Sequence, residues 1–138
     1  NRYLLGDKID PQQVTDINLP LGDIDDKSAK IWPFKVHRAR QHYDVEHRTL
    51  LTPLTGGKGG FWHDFDWNRA LELGAEATGT QYSGKYDFAE TAMYWPLNHM
   101  VTPKENALQC AACHSDNSRM DWNALGYSGD PLKTGGRK

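Results

Sequence analysis

The run Cys110-Ala-Ala-Cys113-His114 constrains this chain more than any other stretch, because it holds the only two cysteines among 138 residues. A disulfide between cysteines so close together would close a loop too short to restrict the unfolded chain appreciably. A thioredoxin-type dithiol normally has an aromatic or Gly-Pro filling in a strand-then-helix setting, and here the filling is Ala-Ala. A zinc site would need two more ligands at zinc-type spacing, and no second pair follows.

Covalent attachment of haem is the interpretation that remains. In a Cys-x-x-Cys-His motif, Cys110 and Cys113 would form thioethers with the porphyrin vinyl groups, and His114 would bind the iron as the proximal ligand. Positions i, i+3 and i+4 share one face of a helix, so a single turn presents all three side chains. The sequence therefore predicts one covalent haem c, with a structural dithiol as the main alternative.

The composition sets limits around this interpretation. A net charge of -2 gives no general attraction to nucleic acid or anionic lipid. With 38% hydrophobic residues and a mean hydropathy of -0.75, the protein alone supplies a lean core. A buried porphyrin would add apolar surface, and the five Trp, six Tyr and four Phe would pack well on it, although aromatic residues also fill ordinary small cores.

The cellular address is inferred from the haem. No stretch is long enough to span a bilayer. The sequence starts at Asn1, without an initiator Met or a signal-peptide pattern, which indicates a processed chain or a part of a longer one. Because haem c is attached after export, we expect a periplasmic or extracellular protein.

Two regions differ in their local signals. Residues 1–60 carry many Pro and Gly breakers and little helical periodicity, so they are predicted to be an extended, loop-rich segment that wraps over something else. Residues 61–138 are predicted to be a helical, haem-binding segment, and the two regions to form one structural unit with a partner chain. The predicted fold class is mainly α with extensive irregular loops, resembling multihaem cytochromes, with a few short helices around the haem and little or no β-sheet.

Three helices are predicted in the second region. In DWNRALELGAEATG, apolar residues recur at helical spacing, Asp66 is a suitable N-cap and Gly79 would end the helix. The capping-box spacing of Asp87–Glu90 predicts a short helix through FAETAMYW, which the following proline would stop. A third helix is predicted from a capping box at Thr102 into QCAACH. The tail after Tyr127 is predicted to be a loop.

The second axial position of the iron has several candidates. His99 is the best placed, because the turn between the second and third predicted helices could fold WPLNHMV back over the far face of the haem. Met100 and Met120 are alternatives that would raise the reduction potential, although each is also ordinary core filler. His42 and His47 lie in the polar stretch QHYDVEHR and are predicted to be solvated.

Two further histidines have other environments. His63 lies in FWHDFDW and reads either as a residue oriented by Asp64 or Asp66 or as an exposed imidazole hydrogen-bonded to its acidic neighbour. His37 ends the apolar stretch IWPFKV, where a satisfied core histidine and a haem ligand would look alike. If His99 serves the haem of this chain, His37 is a candidate ligand for a second haem that belongs to another chain.

The surroundings of the haem have weaker signals. Arg119, five residues past His114, is a candidate partner for a haem propionate, and a surface arginine is the equal alternative. Four aromatic residues are candidates for packing near the porphyrin: Tyr94, Trp95, Trp122 and Tyr127.

Taken together, the motifs resemble a known family. The runs IWPFKVHRARQHYDVEHRTLL, GFWHDFDWNRALELG, YSGKYDFAETAMYWPLNHMVTPKENALQCAACH and SRMDWNALGYSGDP are similar to the C-terminal region of octahaem cytochromes c of the tetrathionate reductase type. The resemblance covers residues 8–131 and implies a low-spin, bis-histidine haem. It also implies that His114 is the proximal ligand, that His99 is the distal ligand, and that His37 serves a neighbouring haem.

The departure from the family is also informative. The family carries all its haems on one chain, and its catalytic haem, with an unusual lysine ligand, belongs to an N-terminal portion that this sequence does not contain. This sequence has a single binding motif. It is therefore expected to be a C-terminal fragment, or a small subunit in a hetero- or homo-oligomeric complex with a multihaem cytochrome or another redox protein. It is not expected to be an enzyme on its own, and no catalytic residue is assigned.

Two other classes of function stay open. One is enzymatic. The chain would be part of a multihaem reductase of nitrogen or sulfur compounds such as tetrathionate, nitrite or hydroxylamine, with the catalytic haem on another chain. With an empty or weakly held distal position, it would itself be a catalytic or gas-binding haem protein acting on nitrogen or sulfur oxyanions. The residues that would then line the site are cationic or imidazole side chains: Lys35, Arg38, Arg40, His42 and His63. Alternatively, the chain is a structural partner whose first half wraps another cytochrome and donates His37.

Overall fold

A computed structural model describes residues 2–98 and 102–136 of the chain. The chain divides into two compact units. The first unit comprises Asn1–Pro20 and Phe34–Trp95, and the second comprises Leu21–Pro33 and Pro96–Lys138. Within the described residues, no helix is both long enough and apolar enough to cross a membrane.

A three-stranded mixed sheet organises the first unit. Its strands are β1 (Thr15–Asn18), β2 (Phe34–Asp44) and β3 (Tyr86–Pro96), in the order β1-β3-β2. β1 runs parallel to β3. Hydrogen bonds from Val45 to Lys85 and from Thr91 to Ala39 show that β2 runs antiparallel to β3. The prediction of a mainly helical fold with little or no sheet is therefore wrong.

The helix predicted from the capping-box spacing of Asp87–Glu90 is in fact part of the strand β3. The carboxylate of Asp87 accepts a bond from the amide of the next residue, Phe88, and does not cap a helix. Burial alternates as in a strand, with Ala89 and Thr91 buried and Glu90 exposed. Pairing with a strand on each side outweighs a local capping signal, because it bonds backbone groups along both edges of β3.

The core of the first unit lies against β2 and β3. Ile9, Tyr43, Leu50 and Ala89 form its buried cluster. Residues 42–44 at the end of β2 are buried, whereas residues 35–40 are exposed in succession. The residues of β2 that carry the second candidate haem ligand therefore lie outside this core.

Two helices join β2 to β3. The short helix α1 spans Phe61–Asp64, and α2 spans Trp67–Thr78. The prediction for α2 is confirmed at both ends, since Asp66 accepts a bond from the amide of Arg69 and Gly79 adopts a left-handed conformation with φ of 68°. Gly74 is buried on α2, where an added Cβ would lie 1.8 Å from the carbonyl oxygen of Thr52.

The described part of the second unit has only short helical elements. A 3-10 turn spans Lys104–Asn106, α3 spans Cys110–Cys113 and α4 spans Pro131–Thr134. The helix predicted from Thr102 into the cysteine motif is interrupted, because Ala107 and Gln109 have extended backbone angles. The tail that was predicted to be a loop contains α4, which Asp130 caps through the amide of Leu132.

Candidate haem-binding site

The cysteine motif forms one hydrogen-bonded turn. Cys110 and Cys113 are the first and last residues of α3, and both are free thiols, the first exposed and the second half-buried. His114 follows at the C-cap, and its backbone N–H donates to the carbonyl of Cys110 at 2.9 Å. The turn therefore brings together the two thiols and the imidazole that the sequence assigned to haem attachment.

The imidazole of His114 is held by a carboxylate distant in sequence. His114 Nδ1 lies 2.7 Å from Asp130 Oδ1, and their side chains are 26% and 9% exposed. The hydrogen bond with His114 is the largest influence on the carboxyl of Asp130, and it holds the pKa of that group below its ordinary value. Because Nδ1 is engaged in this bond, Nε2 is the ring nitrogen left for a metal.

An aromatic ring covers one face of the same imidazole. Trp122 is stacked on His114, with ring centroids 5.3 Å apart and planes inclined by 19°. Tyr127 in turn packs with its edge against Trp122, at 5.7 Å. The side-chain atoms Trp122 Nε1 and Asp130 Oδ2 are buried and have no hydrogen-bond partner in the described part of the chain. Polar atoms of this kind usually have a partner, which here would come from a water molecule or another bound group.

The loop after His114 folds back onto α3. The hydroxyl of Ser118 donates to the carbonyl of Cys113 at 2.6 Å, and the amide of Arg119 donates to the carbonyl of Ala112 at 3.1 Å. Arg119 itself is exposed, and it lines a shallow cavity of about 570 Å³ together with Met120, Trp122 and Asp130. The bonds from Ser118 and Arg119 fix the position of this loop relative to the cysteine motif.

These residues fit a covalently attached haem. Both thiols are unpaired, and the imidazole between Asp130 and Trp122 has Nε2 free for iron. Asp130 was missed in the sequence because sixteen residues separate it from His114. The tail that contains Asp130 was predicted to be a loop, and no local signal linked this aspartate to the histidine.

The other predicted ligands have different surroundings. His37 is exposed on β2 in the first unit, with its ring centroid 6.3 Å from that of Trp95. His99 and Met100 lie outside the described residues. Met120 is half-buried beside the site, and His63 is exposed and bonded to Asp64, as one of its two interpretations required.

The prediction that His42 is solvated is wrong. Its side chain is packed against Trp67, Tyr86 and Phe88, with ring centroids 4.1, 5.2 and 4.4 Å away, and only 7% of the residue is exposed. Burial lowers the pKa of the His42 imidazole, because the charged form would lose its hydration. The aromatic residues that surround His42 come from α2 and β3, so the polar stretch around it gave no sign of this burial.

A Cys-x-x-Cys-His turn with an oriented histidine defines the c-type cytochromes as a class. The family described as cytochrome c, bacterial, matches residues 1–117. The chain therefore belongs to this family, which implies covalent haem c and haem-based electron transfer.

A solved structure gives a second comparison. The crystal structure of an octaheme cytochrome c from Shewanella oneidensis is 52% identical in sequence and superposes with a TM-score of 0.88. The match covers 100% of this chain and 33% of the octaheme chain, so this chain spans about a third of that protein's length. This similarity confirms the resemblance to octahaem cytochromes c. A search among curated proteins gives no match.

Proposed function

We propose that this chain is an electron-transfer module of a multihaem c-type cytochrome, with one haem attached through Cys110 and Cys113 and ligated by His114. The observation that carries the proposal is the turn of α3, in which both thiols are free and the histidine is oriented through Nδ1. The family and the octaheme relative support the same function. The natural address of such a module is the periplasm or the extracellular space.

The two axial positions determine the chemistry. Haem c supplies a one-electron redox centre when bound. We assign His114 as the proximal ligand and His99 as the distal ligand, the latter on its sequence position and on the family resemblance. With two imidazoles on the iron, no substrate would reach the metal, and the centre would be limited to outer-sphere electron exchange.

The ligand assignment is tested on the chain produced with covalent haem. Mass spectrometry under denaturing conditions should count one haem, and the absorption spectrum should be low-spin and insensitive to cyanide. His99→Ala should give a high-spin spectrum that shifts when cyanide is added, whereas the control His63→Ala should not, because His63 is exposed and bonded only to Asp64. A cyanide-sensitive wild-type spectrum would contradict bis-histidine ligation and favour the gas-binding or catalytic alternative.

We further propose that His37 ligates a haem that this chain does not bind covalently. The imidazole is exposed on the part of β2 that lies outside the core, beside the half-exposed ring of Trp95. An accessible imidazole next to an accessible aromatic ring suits a porphyrin that approaches from another part of the assembly.

The test of His37 uses the complex isolated from cells that produce the variant chain. His37→Met should change the axial ligation, and so the absorption spectrum, of a haem on the partner polypeptide. His63→Met is the matched control, because His63 is another exposed histidine of the first unit. A partner spectrum that is the same with both variants would contradict the assignment.

The remaining haems of the assembly would lie on polypeptide outside this sequence, either on a continuation of the same chain or on a partner subunit. This chain spans only about a third of the length of the octaheme relative, which supports this view. Reduction of nitrogen or sulfur oxyanions, if the assembly performs it, would then take place on one of those haems. Native mass spectrometry of the protein from its source tests the proposal, because a free chain with one haem would make it an autonomous carrier.

Arg119 is proposed as a partner for a haem propionate. It is exposed and lines the cavity beside His114, where a guanidinium can reach a carboxylate on the haem edge. This role is distinct from iron ligation, so Arg119→Gln should leave the low-spin spectrum unchanged and alter only the potential. An unchanged potential would leave Arg119 as a surface residue.

A further inference from the structure

We propose that Asp130 is a positioning residue for the proximal ligand, and that its carboxylate fixes the orientation of His114 and lowers the reduction potential of the haem. The inference rests on the proposed attachment of haem at this motif. It concerns a carboxylate that neither the cysteine motif nor the family resemblance brings to attention.

The first support is the geometry of the contact. The distance of 2.7 Å between His114 Nδ1 and Asp130 Oδ1 is that of a short, charge-assisted hydrogen bond. The carboxylate is only 9% exposed, so water competes little for it. A hydrogen bond protected from solvent is electrostatically stronger than the same bond on a wet surface.

The second support is that Asp130 is itself held in place. Its Oδ1 accepts a bond from the amide of Leu132 at 3.0 Å as the N-cap of α4, and its carbonyl accepts a bond from the hydroxyl of Thr134 at 3.1 Å. The carboxylate is therefore fixed by the first turn of a helix. A fixed acceptor orients the imidazole, whereas a mobile side chain would follow it.

The third support is the stacking of Trp122 on the same imidazole. The ring of Trp122 lies nearly parallel to that of His114, at 5.3 Å and 19°, and restricts its tilt. The hydrogen bond to Asp130 restricts rotation within the ring plane. Together the two contacts aim Nε2 in one direction before any metal is bound, as the hydrogen-bond partners of metal-ligating histidines generally do.

The effect on the potential follows from charge. A carboxylate that accepts the Nδ1 proton in a hydrogen bond makes the imidazole a stronger electron donor, which stabilises ferric iron more than ferrous iron. A substitution that removes the negative charge of Asp130 but keeps the hydrogen bond with His114 should therefore favour ferrous iron. A charge-assisted hydrogen bond is roughly twice as strong as a neutral one, so we expect a shift of roughly tenfold in the redox equilibrium. For a one-electron couple, tenfold corresponds to about 59 mV.

Asp130→Asn isolates this effect from the structural role of the residue. Asparagine caps helix N-termini as well as aspartate does, so α4 should be retained while the charge is lost. Asp130→Glu keeps the charge and tests rescue. Asp116→Asn is the control for loss of a nearby negative charge, because Asp116 is 92% exposed and pairs with Lys133, not with His114.

The measurement is a potentiometric titration of each variant after its covalent haem has been counted. We expect the midpoint potential to rise by about 59 mV in Asp130→Asn, to return toward the wild-type value in Asp130→Glu, and to change little in Asp116→Asn. If all four proteins carry haem and Asp130→Asn has the wild-type potential, the inference is wrong. If wild type carries no haem, the proposed function itself fails, so the two failures are distinguishable.

Discussion

The buried carboxylate of Asp44 allows a quantitative test of how the first unit is held together. Asp44 is the last residue of β2 and is 0% exposed. Its Oδ1 accepts bonds from the amides of Glu46 and His47 at 2.9 and 2.8 Å, and its Oδ2 accepts one from the amide of Ser83 at 2.6 Å. One carboxylate thus joins the end of β2 to the segment that leads into β3.

The substitution Asp44→Asn keeps the shape of the side chain and removes its charge. The oxygen of asparagine can still accept the two bonds within the turn, but its amide group would face the donor N–H of Ser83. Each hydrogen bond to a charged group contributes about 1.5–3 kcal/mol, and a buried donor left without a partner costs a similar amount. We expect a loss of about 3 kcal/mol in the free energy of unfolding, and a fall of about 10 °C in Tm.

The assay is urea unfolding followed by far-UV circular dichroism, repeated across a range of pH. Burial of Asp44 pushes the pKa of its carboxyl upward, but the hydrogen bonds from Ser83, His47 and Glu46 outweigh burial and hold the pKa below its ordinary value. A depressed pKa stabilises the folded state above the unfolded value of about 3.9, and this stability is lost as the pH falls through the folded pKa. The difference between wild type and Asp44→Asn should therefore be constant near neutrality and shrink below about pH 4.

Glu46→Gln is the matched control, because it removes a carboxylate two residues away. Glu46 pairs with Lys85 at 2.9 Å on the surface, and exposed ion pairs contribute little to stability. We expect this variant to unfold like wild type. A cost below about 1 kcal/mol for Asp44→Asn, or a difference that persists unchanged at acidic pH, would refute the assignment of Asp44 as a charged anchor.

Two further substitutions test the packing of the first unit. Gly74→Ala should lower the free energy of unfolding by more than about 2 kcal/mol despite the better helix propensity of alanine, because the new Cβ meets the carbonyl oxygen of Thr52 at 1.8 Å. Gly56→Ala is the control, since a Cβ added there has nothing within 4 Å. Equal stabilities of the two variants in urea would contradict the close approach at Gly74. His42→Phe should make the free energy of unfolding less dependent on pH. Burial lowers the pKa of His42 in the folded state, so wild type is fully stabilised above about pH 6.5 and loses stability as the pH falls below that value. Parallel slopes for the two proteins between pH 7.5 and pH 5 would show that His42 does not titrate in this way.

The helix α2 was predictable from the sequence because all of its signals are local. Asp66 and Gly79 each act on the helix end next to them, and the apolar spacing lies between them, so none of these signals depends on a distant segment. The run at Tyr86–Pro96 was not predictable in this way. Its capping-box spacing favours a helix, but its backbone pairs with β1 and β2, which lie far away in the sequence.

The candidate haem-binding site also has a part that was predictable from the sequence and a part that was not. The sequence by itself determined the chemistry of attachment, because Cys110, Cys113 and His114 act within a single turn whose geometry depends on their spacing alone. Only the tertiary structure decided what holds the imidazole, since Asp130 comes from the N-terminus of α4 and Trp122 from the loop between. Likewise, only the fold buried His42 among aromatic rings and left His37 exposed on the same strand. Spacing along the chain fixes contacts within one turn, whereas burial and long-range hydrogen bonds depend on which distant segments pack together.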